Sequence, residues 1–483
     1  MEPLSVLIVS PEIAPLAQTG GLAEVAGSLP LALRDAGCRV AVALPGYRRV
    51  LESGTNWEVA ARDLPVRLGI LHLSARVLLG ELAPEVPAFV VQRDEFFDRG
   101  QLYGGVQGDY FDNPERFIFF SRALIAMCPT VNFVPDVILA NDWQTGLVMS
   151  LLHLGAMPRT AGVFCVHNMG FLGLVPPERT GNIGLPDRYY GMEGMEYFGQ
   201  MSLLKAGIVF SNMVATVSPT YAREIQTPEG GHGLDGVMRS VAPRLHGIVN
   251  GVDYGTWDPA HDKNLAANYS PADLSGKSIC KKALLAEMGL GEEFMDKPLA
   301  GIVSRLSPQK GVGLLVEAAE DLFKLGLGLV ILGQGENEDM IEALKYRFPD
   351  RVGFKKGFDA GLSHRIFGGC DLVLMPSMFE PCGLAQLYAL KYGTIPVVRA
   401  VGGLNDTVRD SNGGMEPGTG FKFGTFQAKA LVRAVRRAVE TFQDPERRRT
   451  MMLAGMAEDF SWNRSAGEYI RVFESAVEVR RGR

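Results

Sequence analysis

The feature that most constrains the fold is an alternation of short apolar segments with longer helical patterns, repeated twice along the chain. The first series opens with the apolar run Leu4–Ser10, a helical pattern from about Gly21 to Ala36, and a second apolar run, Arg39–Leu44. Strands buried on both faces are continuously apolar, and their alternation with helices is typical of a parallel sheet covered by helices. An α/β fold is therefore predicted.

The first series is interrupted and then resumes. Between Trp57 and Gln92 a period-two pattern broken by Pro and Gly predicts inserted hairpins. Beyond it, a strand at Asp136–Ala140, a helical stretch at Thr145–Leu154 and a strand at Gly162–His167 restore the alternation.

A second, similar series follows the turn that ends in Asp253. Its predicted strands are Leu299–Ser304, Leu327–Leu332, Arg351–Phe354, Asp371–Met375 and Ile395–Val398. Its clearest predicted helices are Gly311–Phe323 and Asp339–Tyr346. The tail, from Trp462 to about Val479, has the pattern of a terminal helix.

The length of 483 residues is too great for one ordinary hydrophobic core. We therefore predict two doubly wound parallel-sheet domains. The first spans residues 1–250 and the second 251–461, and the terminal helix within 462–483 packs back on the first domain.

Composition narrows the possible partners. Apolar residues are 47% and charged residues 21% of the chain, the usual balance of a globular protein. With 48 basic and 54 acidic residues, a net charge of −6 and no long basic run, nucleic acid is not an expected partner. No stretch approaches the roughly 18 consecutive apolar residues of a membrane span.

The start of the chain and the cysteines indicate the compartment. No basic n-region precedes the first apolar run, and six cysteines are scattered without a CxxC pair. We predict a cytoplasmic protein without disulfides or a metal site.

Ligands of open α/β sheets bind beyond the carboxyl ends of the strands, so residues just after the strands are the first candidates. Thr19, Gly20 and Gly21 follow the first strand at the start of its helix, where glycines admit a ligand and the helix N-terminus favours an anion. A plain tight turn explains this pattern equally well. It is not the GxGxxG fingerprint of a dinucleotide-binding oxidoreductase.

Polar residues also end two later strands of the first series. Asp142 follows the strand at 136–140, and His167 with Asn168 ends the strand at 162–167. A histidine in such a place is more often structural, but here it emerges at the same sheet edge as the glycine loop, which favours a function.

The first loop of the second series carries two cations and no carboxylate. Arg305 and Lys310, separated by Gln309 and its neighbours, follow a buried strand. This arrangement suits an anion such as a diphosphate leaving group. A solvated loop with ordinary surface charges is the alternative.

A second loop precedes a helix predicted at Ala385–Tyr392. Gly383 and Leu384 present free amides there, beside the carboxylate of Glu380. Glu380 either caps the helix or binds a sugar hydroxyl while the amides hold a phosphate. Cys382 has no histidine partner that would mark it as a nucleophile, so we interpret it as a packing or sugar-contact residue.

Taken together, these stretches resemble the bacterial glycogen synthase and plant starch synthase family over nearly the whole chain. The matching segments are Thr19–Leu22, Asn141–Trp143, His167–Asn168, Asn250–Asp253, Ser304–Arg305, Gln309–Gly311, Phe379–Leu384 and Gly402–Leu404. The run from Pro376 to Leu404 is the most specific.

The resemblance implies a GT-B fold of two facing domains with a deep cleft between them, and transfer of glucose from ADP-glucose to the non-reducing end of an α-1,4-glucan. It implies retention of anomeric configuration and no metal or other cofactor. By position, Arg305 and Lys310 are expected on the diphosphate, and His167 and Glu380 on the transferred glucose. The remaining residues with an expected binding role are Gln18, Thr19, Gly20, Gly21, Asp142, Asn168, Asn250, Gln309, Phe358 (against the adenine), Cys382, Gly383 and Leu384.

Four departures from the family pattern stand out. Gln18 replaces a lysine before the glycine pair, and Ala385 replaces a Thr or Asn. Glu24 replaces an Asp, and Phe171-Leu172-Gly173 replaces Tyr-Gln-Gly. Only the lysine would neutralise phosphate charge, so the change at Gln18 bears most directly on activity.

Two alternatives remain open beside an active glucan synthase. One is a related GT-B transferase that uses another nucleotide sugar or acceptor. The other is a glucan-binding homologue with little activity. Retention of His167, Arg305, Lys310 and Glu380 argues against the second, because a protein that only binds has no need of all four.

Overall fold

The computed structural model describes residues 3–105, 108–412 and 417–482. Within them, the strands that precede Val252 are β1 (Ser5–Val9), β2 (Arg39–Pro45), β3 (Glu58–Leu68), β4 (Leu71–Ala83), β5 (Val86–Gln92), β6 (Gly104–Gly105), β7 (Gly108–Asp109), β8 (Val137–Asn141), β9 (Ala161–Val166), β10 (Leu174–Val175), β11 (Glu196–Tyr197), β12 (Gln200–Ser202), β13 (Met213–Thr216) and β14 (Leu245–Gly247). The later strands are β15 (Leu299–Val303), β16 (Gly328–Gly333), β17 (Val352–Lys356), β18 (Leu372–Met375), β19 (Ile395–Arg399) and β20 (Phe421–Phe423).

The α-helices of the same residues fall into two groups in chain order. Those before Val252 are α1 (Gly21–Asp35), α2 (Arg48–Leu51), α3 (Asp94–Phe97), α4 (Asn113–Thr130), α5 (Gly146–His153), α6 (Leu203–Phe210), α7 (Pro219–Glu224) and α8 (Asp235–Ser240). The rest are α9 (Ser275–Met288), α10 (Val312–Lys324), α11 (Glu338–Arg347), α12 (Ala360–Gly369), α13 (Ala385–Lys391), α14 (Gly402–Thr407), α15 (Ala428–Phe442), α16 (Pro445–Met456) and α17 (Trp462–Arg481).

The chain divides into two compact units. The N-terminal unit comprises Met1–Gly251 together with Trp462–Arg483, and the C-terminal unit comprises Val252–Ser461. The terminal helix α17 belongs to the N-terminal unit because it packs on α1 and β9. The Ser465 hydroxyl of α17 donates a hydrogen bond to the carbonyl of Val249 at 2.7 Å.

The N-terminal unit is built on a nine-stranded sheet in the order β14-β13-β9-β8-β1-β2-β5-β4-β3. Strands β14 to β5 of that order run parallel, and β4 and β3 join the edge antiparallel. The last four residues of β1 are completely buried, as the continuous apolar run predicts. The order of connection reverses between β1 and β8, which makes this the topological switch point of the sheet.

The hairpins predicted between Trp57 and Gln92 are present, but they are not a separate insertion. β5 pairs in parallel with β2, with Val42 opposite Ala88, so the hairpins extend the main sheet. The segment Val86–Gln92 is buried at most positions, because it is covered on both faces like the other parallel strands. Its apolar run was the signal that distinguished it from its half-exposed neighbours β3 and β4.

The C-terminal unit contains a six-stranded, fully parallel sheet in the order β17-β16-β15-β18-β19-β20. Its switch point lies between the adjacent strands β15 and β18, because the chain adds β16 and β17 on one side of β15 and then adds β19 and β20 on the other side of β18. The five strands predicted in this half are confirmed to within about two residues at each end. The short strand β20 escaped prediction because three residues carry too little periodicity.

Candidate active site

Most of the predicted site residues lie at or next to the switch points of the two sheets, whereas Asn250 follows the edge strand β14 and Phe358 follows the edge strand β17. In the N-terminal unit the glycine loop follows β1, Asp142 follows β8, and His167 follows β9, and these three strands are adjacent in the sheet. In the C-terminal unit Arg305 and Lys310 follow β15, and Glu380 follows the adjacent β18. Each unit thus carries its own set of polar groups at the sheet edge where α/β proteins bind ligands.

A buried carboxylate that sequence analysis missed holds the glycine loop. Glu12 is 4% exposed and accepts hydrogen bonds from the amide and hydroxyl of Thr19 and from the amide of Gly20. It also accepts one from the Tyr103 hydroxyl at 2.7 Å. A methyl group at Gly20 would meet no atom within 4 Å. Packing within the protein therefore does not require the glycine, which favours a ligand loop over a plain tight turn.

The side chain of Gln18 points to a neighbouring carboxylate. The side-chain amide nitrogen of Gln18 donates to Glu24 Oε1 at 3.2 Å, whereas the backbone carbonyl of Gln18 accepts from Arg49 at 3.0 Å. Both positions that depart from the family pattern in this loop, Gln18 and Glu24, are thus in contact with each other. A lysine at position 18 would lie within reach of the same carboxylate.

Asp142 occupies a backbone conformation that is essentially restricted to glycine. Its φ is 57° and its ψ 178°. Such strain costs of order 1–3 kcal/mol and persists only where the surroundings impose it. Here the Asp142 amide donates to the Cys165 carbonyl at 3.0 Å, and its carbonyl accepts from the Thr145 amide at 3.0 Å. Strained residues of this kind cluster at functional sites, so the position supports a role for Asp142.

The carboxylate of Asp142 bridges the ends of β8 and β9. Its Oδ1 accepts a hydrogen bond from the backbone amide of His167 at 2.8 Å. Desolvation raises the pKa of Asp142 to about 7, against the opposing effect of hydrogen bonds from the amides of His167 and Asn168. The side chain therefore changes its protonation state near neutral pH and is able to donate or accept a hydrogen bond there.

His167 is a buried, neutral imidazole with a fixed tautomer. Burial lowers its pKa to about 4. Its Nε2 lies 2.9 Å from Asn141 Oδ1, and the amide nitrogen of Asn141 donates to the Val9 carbonyl at 3.0 Å, so the Asn141 oxygen faces the ring. Nε2 must therefore carry the proton, which leaves Nδ1 as the hydrogen-bond acceptor.

The other two polar residues of this unit differ in how their side chains are used. Asn168 accepts from the Gly170 amide at 2.9 Å and so shapes the segment after β9. Asn250 is 6% exposed, and its Oδ1 accepts no hydrogen bond from any residue that the structure describes. An unsatisfied buried acceptor is rare and costly, which supports the prediction that Asn250 contacts a ligand.

In the C-terminal unit the predicted cation and carboxylate bond directly to each other. Lys310 Nζ lies 2.8 Å from Oε1 and 2.6 Å from Oε2 of Glu380. The Ser377 hydroxyl donates to Oε2 at 3.0 Å. The Glu380 side chain is 6% exposed and that of Lys310 18%. The N-cap of α13 is Leu384, without a side-chain capping hydrogen bond, so Glu380 does not cap this helix. Glu380 instead forms a buried ion pair that joins the loop after β15 to the loop after β18.

Two further contacts hold these loops together. The side-chain amide of Gln309 donates to the Phe379 carbonyl at 3.3 Å, and the backbone carbonyl of Gln309 accepts from the Met378 amide at 2.8 Å. Gly311 has φ 73°, and a Cβ there would lie 2.0 Å from the Pro376 carbonyl oxygen. The approach of the two loops thus requires glycine at this position.

Gly402 packs closely against the backbone of the loop that carries Glu380. Its φ is 41°, and a Cβ there would lie 1.9 Å from the Glu380 carbonyl oxygen. The Gly403 amide donates to the carbonyls of Glu380 and Pro381 at 3.2 and 3.1 Å. The glycine pair of the family motif is therefore a packing requirement of the Glu380 turn.

The other groups of this unit remain accessible. Arg305 is exposed, and no described residue forms a hydrogen bond or ion pair with its guanidinium. The amides of Gly383 and Leu384 likewise donate to no acceptor in the part of the chain that the structure describes. Cys382 is buried at 4% exposure, which favours packing over a nucleophilic role. Phe358 is 79% exposed in the turn between β17 and α12, so a face of its ring is open to a base.

Sequence reasoning missed three residues that hold these groups in place: Glu12, Ser377 and Gln386. Gln386 is fully buried, and its amide nitrogen donates to the carbonyls of Cys382 and Gly383 at 3.1 and 3.0 Å. Its position as the second residue of α13, four residues after Cys382, is the available signal, because that spacing is about one helical turn. Ser377 stands three residues before Glu380, and that Ser-x-x-Glu spacing was its signal. Glu12 bonds to Thr19 and to Tyr103, which is 91 residues away, and no local pattern shows these contacts.

Residues 3–105, 108–412 and 417–482 contain no group of three or more His, Cys, Asp or Glu side chains placed to hold a metal ion. No helix among them is long and apolar enough to cross a membrane.

Comparison with known proteins places this chain in a family. The family model for the starch synthase catalytic domain matches residues 5–240, and that for group 1 glycosyl transferases matches residues 291–452. The glycogen synthase of Desulfatibacillum aliphaticivorans is 46% identical over 99% of this chain and 100% of its own length. The chain belongs to the glycogen synthase family. A glycogen synthase of Anaeromyxobacter is 45% identical over 98% of this chain and 99% of its own.

Solved structures give the same relationship. The catalytic domain of starch synthase IV from Arabidopsis thaliana, determined with ADP and acarbose bound, matches with a TM-score of 0.91 at 32% identity, covering 99% of this chain and 100% of its own. Sucrose-phosphate synthase from Thermosynechococcus elongatus matches with a TM-score of 0.61 at 18% identity over 98% of both chains, and shows the fold alone. The predicted family, the GT-B fold class and the glycosyltransferase activity of a glycogen synthase are confirmed.

Proposed function

We propose that this chain transfers glucose from ADP-glucose to the non-reducing end of an α-1,4-glucan, with retention of anomeric configuration. The observation that carries the proposal is the constellation Arg305, Lys310 and Glu380 at the switch point of the C-terminal sheet, in a chain that matches glycogen synthases from end to end. The C-terminal unit supplies the nucleotide-sugar groups, and the N-terminal unit supplies the acceptor side.

The C-terminal groups suit a departing diphosphate. The exposed guanidinium of Arg305 is free to bind two phosphate oxygens at once, and Lys310 adds a point charge held in place by Glu380. The unused amides of Gly383 and Leu384 offer two further donors. Charge that develops on the leaving oxygen is thus met by donors that are already oriented.

The N-terminal groups suit the hydroxyls of a sugar. Nδ1 of the neutral His167 accepts a hydrogen bond from a hydroxyl, and Asp142, with its pKa near 7, supplies a second polar contact. The unsatisfied Oδ1 of Asn250 accepts a third hydrogen bond. None of these groups is a cation, which separates them by chemistry from the phosphate-binding groups.

The test is a transfer assay with the full chain. ADP-glucose and UDP-glucose are each supplied with and without glycogen, and both nucleoside diphosphate release and label incorporated into glucan are measured. The proposal expects glycogen-dependent incorporation with a preference for ADP-glucose. Incorporation from UDP-glucose alone would favour the related transferase, whereas glycogen binding without incorporation would favour the weakly active homologue.

The weakly active alternative is favoured by Gln18, which stands where the family pattern has a lysine. A substitution at this position tests that alternative directly. Replacing Gln18 with Lys is expected to raise turnover on ADP-glucose by about tenfold, or roughly 1.4 kcal/mol off the barrier, because the added charge favours the departing diphosphate. Steady-state kinetics with both donors measure the gain, and Gln18→Met serves as the uncharged control.

The contact between Gln18 and Glu24 refines this experiment. An ammonium at position 18 is drawn to the Glu24 carboxylate, so the double variant Gln18→Lys/Glu24→Asp, with a shorter carboxylate, should gain more than the single variant. A fall in activity in both variants would mean that another residue already supplies the charge.

Activity is expected to survive EDTA. Arg305, Lys310 and the free amides supply the electrostatic stabilisation that Mg²⁺ gives in metal-dependent transferases. The initial rate is measured after dialysis against EDTA and again after addition of MgCl₂. Complete loss of activity that magnesium restores would contradict the proposed diphosphate site.

A further inference from the structure

A strained aromatic residue stands at the tip of a short hairpin in the N-terminal unit. β11 and β12 pair antiparallel, with Tyr197 opposite Gln200, and are joined by Phe198 and Gly199, whose φ angles are 45° and 82°. Two-residue turns of type I′ take positive φ at both central residues and strongly prefer Asn-Gly. A bulky side chain at such a φ is a genuine outlier.

Burial does not compensate this strain. The Phe198 side chain is 80% exposed. Its ring meets that of Tyr197 edge to face, with centroids 4.8 Å apart and an interplanar angle of 85°. The Tyr197 hydroxyl donates to the His232 carbonyl at 2.9 Å, which fixes the tyrosine that supports Phe198. Phe198 is therefore an aromatic ring held rigidly from one side and open on the other.

The hairpin is continuous with the segment that follows β9. β12 also pairs with β10, and the Ser202 hydroxyl donates to the Leu172 carbonyl at 2.8 Å. A Cβ at Gly170 would lie 3.1 Å from Asn168 Oδ1 and 4.0 Å from His232 Cε1. The aromatic pair thus belongs to the same local structure as Asn168, immediately after His167.

We propose that Phe198, supported by Tyr197, is an acceptor-binding platform on which a glucose unit of the α-glucan stacks. This inference rests on the proposed function and assigns part of the acceptor site to a residue outside the motifs shared with the family. The apolar CH face of a pyranose matches an open aromatic ring, as indole and phenol rings match other flat apolar groups. Glu196 accepts a hydrogen bond from the Gly199 amide at 2.8 Å. The ammonium of Lys205, which donates to the carbonyls of Met192 and Glu196, belongs to a residue that is only 5% exposed, so the charge beside the exposed ring is a carboxylate and does not favour a phosphate.

Because the backbone at Phe198 is strained, one substitution can separate an effect on acceptor binding from an effect on stability. In Phe198→Asn the turn gains its preferred residue, so the melting temperature should be unchanged or raised. The KM for maltoheptaose and glycogen should rise about tenfold, corresponding to the loss of one aromatic contact. The KM for ADP-glucose and kcat at saturating acceptor should stay within about twofold. Phe198→Trp should keep the acceptor KM of the unaltered chain.

Tyr346 provides the control, since it is 91% exposed and lies in the C-terminal unit. Tyr346→Ala should change none of these constants. Binding of maltoheptaose, measured by calorimetry without donor, should weaken in Phe198→Asn alone. An unchanged acceptor KM, or a lowered melting temperature with unchanged acceptor binding, would overturn the proposal. Absence of transfer by the unaltered chain would instead contradict the proposed function, while the calorimetric comparison still decides the role of Phe198.

Discussion

Replacing Arg305 with Ala is expected to lower kcat by about two orders of magnitude and to leave the melting temperature unchanged. The loss of one preorganised donor to a developing charge typically costs about 3 kcal/mol, close to a 150-fold change in rate. Folding should be unaffected because Arg305 is exposed and none of the described residues pairs with its guanidinium. Steady-state kinetics and thermal unfolding of the same preparations measure the two effects.

Two further variants sharpen this expectation. Arg305→Lys keeps the charge but loses the planar fork, so it should recover only part of the rate. Arg433→Ala, at an exposed position of α15, removes a comparable guanidinium from elsewhere in the unit and should have no effect. Turnover close to normal in Arg305→Ala would remove this residue from the diphosphate site. A rise in acceptor KM at constant kcat would assign it to glucan binding instead.

The fold was predictable to the extent that the chain has local periodicity. The buried strands β1, β15 and β16 are continuous apolar runs flanked by helical patterns, and such runs have no other stable place than the interior of a covered sheet. Strands of three or four residues such as β14 and β20 carry too few residues to show a period. Their existence depends on pairing with strands far away in the sequence.

The site was predictable in its residue types but not in its contacts. Arg305, Lys310 and Glu380 were found because charged groups after buried strands must lie at one sheet edge. Their pairing was not, because Lys310 and Glu380 are 70 residues apart and meet only once β15 and β18 are neighbours. The strain at Asp142 is a backbone property that no residue pattern reveals.

The pairing between Lys310 and Glu380 gives the second large expected effect. Glu380→Gln should lower kcat by about 100-fold or more, because it removes the carboxylate from the sugar and leaves Lys310 without its partner. Lys310→Met should have an effect of the same order, because it removes a cation from the diphosphate. Breaking a buried pair from one side typically costs about 3–5 kcal/mol, and the partial exposure of Lys310 places this pair at the lower end. Both single variants should therefore also unfold at a lower denaturant concentration.

The double variant Lys310→Met/Glu380→Gln separates stability from catalysis. With both charges gone, no unpaired ion remains in the loops after β15 and β18, so the free energy of unfolding should recover part of the loss seen in each single variant. The rate should not recover, because neither the diphosphate charge nor the sugar contact is restored. Ser377→Ala is the matched control: it removes one hydrogen bond to Glu380 and leaves the pair intact, so its effect on kcat should be smaller. A double variant that regained both stability and turnover would mean that the pair only joins the two loops, and the chemistry would then have to depend on Arg305 and the free amides of Gly383 and Leu384.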